Sequence, residues 1–184
     1  REIPAGASRT RYADSLQDWS MQKPGEALHL DLKPTLIFHA LSVPSSAEFM
    51  VNACGPVPLG EGHEIRAPGP EAMLLAVCVD GANEAWFKLS AVADVGALLA
   101  KHPAADWAGL LEDAARFGHR RSVLAGVQAA ALLLGCPLPE AFQEKAGQDP
   151  KVRRLAEEVV HRMQTGESLQ AGLLRQSGFA FWSR

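Results

Sequence analysis

The feature that most constrains this chain is a change of hydrophobic period at Pro70. Upstream, the stretch Ala27 to Leu36, "ALHLDLKPTL", alternates strictly: Leu28, Leu30 and Leu32 take one parity, and His29, Asp31 and Lys33 take the other. Successive strand residues point to opposite faces, so this pattern suits a β-strand with a row of ionisable groups opposite a leucine face. Downstream, apolar residues recur every three or four positions, which is the signature of amphipathic helices. A chain with both periods, separated in sequence, reads as α+β. The expected organisation is a strand and loop region over 1–69 and a helical domain over 70–184.

The helical half predicts a mostly antiparallel bundle of about five helices joined by short loops. Pro70 suits a first helical position, with Met73, Leu74, Val77 and Cys78 following and Gly81 as a stop. A second helix is expected from about Ala85 to Lys101, before Pro103. Asp106 is an N-cap for a third, whose Trp107, Leu110, Leu111, Ala114 and Ala115 share one face, with Gly118 at its end. The fourth covers Arg120 to Leu134 and stops at Gly135. Asp149 and Pro150 open a fifth, striped by Val152, Leu155, Ala156, Val159, Val160 and Met163. Between the two halves, Val43 to Pro70 is rich in proline and glycine and predicts turns and short strands, "HEIRA" among them.

Charge and cysteine usage narrow the functional classes. A net charge of -3 argues against a general electrostatic grip on nucleic acid. No apolar run is long enough to span a membrane, since Ser90 and Asp94 interrupt the longest, Leu89 to Ala100. Cys54, Cys78 and Cys136 are sparse and odd in number, without metal-ligand spacing, which fits a reducing cytoplasm. No secretory signal pattern is present, and the first residue is Arg1, so an upstream segment is expected to lie outside this sequence.

Three places carry candidate chemistry. Asp31, between His29 and Lys33, is either a solvated strand face or an active-site wall. Asp94 is the one charge between Leu89 and Ala100, so its helix is expected to be buried around most of its circumference. A carboxylate there needs a partner such as Arg120, Arg121 or Lys88, or else a place at the edge of a cleft. The connection "DGANEAWFKL" gathers Asp80, Asn83, Glu84 and Lys88 around Trp86, which reads as a solvated loop or as a cleft lip with an aromatic platform. P-loop, dinucleotide, zincin and nucleophile-elbow signatures are absent from the sequence.

The order of these elements resembles the uncharacterised nucleotidyltransferase family of the polymerase-beta-like superfamily. In that family an apolar helix leads to a His-Gly step, then Trp, a basic residue, Leu and an Asp. An Asp-Trp helix and a small-residue helix ending before Gly-x-Pro-x-Pro follow. The matching positions here are Gly81, Trp86, Lys88, Leu89, Asp94, Asp106, Trp107, Gly135, Pro137 and Pro139. Asp31 matches the acidic residue of an upstream strand, although the family's following His-Trp is Lys33-Pro34 here and its His before Gly81 is Asp80.

The resemblance implies a remnant of a nucleotidyltransferase sheet followed by a helical domain that closes over the nucleotide. It implies transfer of a nucleotidyl group from a Mg²⁺-bound NTP to an unknown small-molecule or peptide acceptor. Asp31 would be the catalytic carboxylate and metal ligand, and His29, Lys33, Trp86, Lys88 and Asp94 would face substrate. The paired upstream carboxylates of the superfamily have no counterpart in the 184 residues, which makes the chain a fragment or a degenerate relative. The alternative is a non-catalytic protein-binding or ligand-binding module that uses the bundle and the apolar tail, with Phe179, Phe181 and Trp182, to hold a partner.

Overall fold

The structure, a computed structural model, describes residues 19–22, 29–32 and 45–166. Lys33 and the apolar tail lie outside the described residues. Strands β1 (Trp19–Gln22) and β2 (His29–Leu32) form an antiparallel ribbon that pairs Ser20 with Asp31 and Gln22 with His29. Within the alternating stretch, His29 to Leu32 are therefore a strand, as the period requires. Helix α1 (Ser45–Asn52) comes next, followed by a hairpin of β3 (Cys54–Gly60) and β4 (His63–Pro68). Its tight turn, Gly60, Glu61 and Gly62, has all three residues at positive φ, a conformation glycine adopts without steric cost.

From Pro70 the chain is helical: α2 (Pro70–Asn83), α3 (Leu89–Lys101), α4 (Trp107–Arg116), α5 (Arg120–Leu134), α6 (Glu140–Gln148) and α7 (Pro150–Thr165). The α+β architecture with a helical bundle is the one the two periods predict. Two short helices add to the expected five. α1 hides in the proline-rich stretch, where it carries Phe49 onto Phe117 at a ring separation of 5.2 Å. α6 has a single fully buried side chain, Phe142, too little periodicity to announce a helix.

Local chemistry sets several helix ends. The Asp106 side chain accepts a hydrogen bond from the Gly109 N–H at 2.9 Å, and the Asp106 N–H donates to Glu71 Oε1, also at 2.9 Å. The start of α4 is thus capped and tied to the start of α2. Asp149 caps α7 by accepting from the Lys151 N–H at 3.0 Å, with Pro150 in the first turn. Gly135 and Gly166 close α5 and α7 in the left-handed conformation.

The core is organised around α5, which packs against α2, α3, α4, α6 and α7. Its Val123, Leu124, Ala125, Gly126, Val127, Ala129 and Ala130 are all buried, and the small residues among them let neighbouring helices approach closely. The largest fully buried side chain is Trp86. Its indole occupies a slot between two helical glycines: a Cβ on Gly81 would fall 2.7 Å from the ring, and one on Gly126 would collide with its far edge and come within 3.0 Å of Cys78 Sγ. Gly81 is therefore not a helix stop; α2 continues to Asn83 because the glycine is needed as floor space.

Two outcomes check this packing. Alanine is favoured over glycine inside a helix by about 1 kcal/mol. Gly126→Ala should nevertheless lower stability by about 1–3 kcal/mol, read in a denaturant melt, because the overpacked ring cannot move aside. The second concerns Asp149, whose carboxylate meets Arg121 Nε at 2.6 Å. Burial opposes its charge, but the hydrogen bonds from Arg121 and the Lys151 N–H and the nearby positive charges outweigh that and hold the carboxyl below its ordinary value. A carboxyl depressed in the folded state stabilises the fold above its unfolded-state value and loses that contribution as pH falls through the folded one. Asp149→Asn keeps the cap, so its deficit of about 0.5–1 kcal/mol at neutral pH should begin to fade as pH falls below about 4 and vanish once pH is below the depressed folded-state value.

Candidate functional site

The connection between α2 and α3 is built, not merely solvated. Ala85 and Trp86 both stand at positive φ, 52° and 56°, which L-residues adopt at a cost of roughly 1–2 kcal/mol each. Backbone hydrogen bonds close the reversal: Glu84 N–H to Asp80 O at 2.9 Å, Ala85 N–H to Ala82 O at 3.1 Å and Trp86 N–H to Gly81 O at 2.7 Å. This turn explains why α3 begins at Leu89 and not at Ala85, since a left-handed pair cannot belong to a right-handed helix. Burial of the indole offsets the strain, with roughly 5 kcal/mol of apolar transfer for a ring of this size.

Trp86 has no accessible surface, so it anchors the connection from inside and is no platform for a ligand. Its Nε1–H is buried without a partner among the described residues. Lys88, two residues on, faces outward and is exposed, pairing across the turn with Glu84 Oε1 at 2.8 Å. That hydrogen bond holds the Lys88 ammonium above the ordinary lysine value against an opposing desolvation, with the charges of Glu84 and Asp80 adding to it.

Beneath the turn lies a residue that the sequence reading passed over. Arg162 of α7 is only 7% exposed; its Nη1 donates to Ala85 O at 3.2 Å, its guanidinium meets Glu158 Oε1 at 3.0 Å, and it lies 5.9 Å from the centre of the Phe87 ring. The signal for it exists in the sequence. Arg162 follows Leu155 and Val159 on the same helical stripe, so it is a cation on a face that otherwise carries apolar groups.

Asp94 is placed elsewhere and corrects an expectation. The buried stripe of α3 is Val92, Val95, Gly96 and Leu99, while Ala93, Asp94, Ala97 and Ala100 are exposed. Small alanines, hydrophobic by composition, cover that outer face, so the helix is not buried around its circumference and Asp94 needs no buried counter-charge. Two of the three basic groups expected to pair with it are engaged otherwise, Arg121 with Asp149 and Lys88 with Glu84. Asp94 instead lines a groove of about 330 Å³ between α2 and α3, with Met73 and Val77 on one wall and Ala97, Leu98, Lys101 and His102 on the other. The floor is apolar, and its polar side chains are those of Asp94, Lys101 and His102.

His29 and Asp31 stand on β2 opposite Gln22 and Ser20. Among the described residues no three His, Cys, Asp or Glu side chains converge closely enough to hold a metal ion, so the helical part by itself does not fit a Mg²⁺ site. No described helix is long and apolar enough to cross a membrane.

The family model described as uncharacterised nucleotidyltransferase matches residues 5–135, and the chain belongs to that family. The match ends at the glycine that caps α5, leaving α6 and α7 beyond it. Searches of curated proteins and of solved structures each gave no match.

The burial of Trp86 over Cys78 yields a chemical check. Burial pushes the Cys78 thiol far above the ordinary cysteine value, and thiolate is the reactive form. Native-state alkylation followed by mass spectrometry should label the half-exposed Cys54 and Cys136 while sparing Cys78, with all three labelled once the chain is denatured.

Proposed function

We propose that this protein acts in nucleotidyl transfer, moving a nucleotidyl group from a Mg²⁺-bound NTP to a small-molecule or peptide acceptor. The observation that supports this reading is the reach of the family match, which takes in both β2 with Asp31 and the helical layer up to Gly135. A likeness carried by one short motif would be weak; this one spans two different structural contexts in the right order.

Phosphoryl and nucleotidyl transfers depend on positioning and on offsetting the charge of the triphosphate. The acceptor hydroxyl or amine attacks the α-phosphorus and gives up its proton to solvent, while the bond from that phosphorus to the pyrophosphate oxygen breaks and pyrophosphate leaves. In this reading Lys88 faces the polyphosphate: it is exposed, charged and held at a fixed point by Glu84. Asp94 and the apolar floor of the α2–α3 groove form the acceptor side, where the carboxylate orients a hydroxyl or amine. Asp31, His29 and Lys33 form the strand side. Mg²⁺, arriving with the nucleotide, supplies charge neutralisation on the phosphates.

Calorimetry on the full chain tests this. Mg·ATP or Mg·GTP should bind, the heat should disappear when Mg²⁺ is chelated, and Asp31→Ala should weaken binding by about tenfold or more, the scale of one lost charged contact. Failure of both nucleotides to bind, or wild-type affinity in Asp31→Ala, would sink the proposal.

A further inference from the structure

We infer that Arg162 is a positioning residue for Lys88, so that α7, a helix outside the family match, sets the geometry of the Trp86 to Lys88 turn that lies within it. The turn is held at three points. Inside, the Trp86 ring is wedged between Gly81 and Gly126. Outside, Lys88 and Glu84 close the two ends of the reversal at 2.8 Å. Beneath, the Ala85 carbonyl, turned away from helical pairing by its own positive φ, accepts from Arg162 Nη1 at 3.2 Å.

The third point is the one that α7 controls. A left-handed pair of non-glycine residues persists only where its surroundings over-determine it. A guanidinium is suited to the task because its planar fork can hold a carbonyl and a carboxylate at once while one face lies against an aromatic ring. Arg162 does all three, with Ala85 O, Glu158 and Phe87. Its burial makes the arrangement costly to leave half-made, since a desolvated cation needs every partner it has. Withdrawing Arg162 lets Ala85 relax toward an ordinary backbone conformation, which swings Lys88 away from Glu84. That this matters to nucleotide binding rests on the reading of Lys88 given above.

The test therefore has two readouts on the full chain. The first needs no nucleotide: acylation of lysine amines at neutral pH, quantified peptide by peptide by mass spectrometry. In Arg162→Met, labelling of Lys88 should rise severalfold while that of Lys101 and Lys151 stays level. Unchanged Lys88 labelling in a variant shown to be folded by circular dichroism overturns the inference, because Arg162 would then serve stability alone. The second readout is Mg·ATP affinity, where Lys88→Met and Arg162→Met should each lose about tenfold and the double variant should lose no more than either, since both act through one ammonium. Additive losses overturn the inference. Raised Lys88 labelling with no Mg·ATP binding by the wild-type chain keeps Arg162 as the positioning residue and removes the nucleotide reading. If Arg162→Met does not fold, Arg162→Lys, which keeps the charge and loses the fork, is measured the same way; intermediate labelling supports the inference and wild-type labelling overturns it.

Discussion

The rest of the helical domain depends on one steric fact: a tryptophan ring lies between two helices where neither can carry a Cβ. Gly81 of α2 and Gly126 of α5 give up side chains so that the indole of Trp86 can fill the space between them. The ring must enter that slot from a chain that has just left α2, which requires a reversal tighter than right-handed backbone allows. Ala85 and Trp86 therefore sit at positive φ. Packing stabilises the strained turn, and the turn in turn sets where α3 begins and which of its faces is buried.

The functional geometry follows from the same fact. Because the indole points inward, the charged residues on either side of it, Glu84 and Lys88, are left outside and meet across the turn. Because α3 starts at Leu89, its inward stripe is Val92, Val95, Gly96 and Leu99, and Asp94 is turned out to line the groove with α2. A tryptophan that touches no ligand thus decides where two candidate ligand-facing charges stand. The guanidinium of Arg162 completes the support from the far side of the bundle, much as an outer layer of contacts holds directly acting groups in other sites.

Much of this was legible in the residue pattern. The period-2 residues His29 to Leu32 are β2, the helices from Asp106 to Leu134 run as their caps and stripes predict, and Asp149 with Pro150 opens α7. Each of these rests on a local rule: alternation, an N-cap hydrogen bond, a fixed proline φ, or a glycine that tolerates the left-handed conformation. Gly81 misled because a glycine near a helix end reads as a stop, whereas its value here lies in what it leaves empty for Trp86. Asp94 misled for a related reason. An alanine-rich stretch scores as apolar, yet alanine is small enough to cover an exposed helix face at little cost, so composition overstated the burial of α3.

What the sequence by itself determined is the α+β class, the order of the main helices and the family likeness, because all of these are written in spacing along the chain. Only the tertiary structure decided that Trp86 is an internal wedge, that Asp94 and Lys88 face solvent, and that Arg162 reaches Ala85 from a helix far along the chain. Those outcomes depend on which side chains share a volume after folding. A pattern of residues specifies a face, but excluded volume and the pairing of buried charge specify what that face meets.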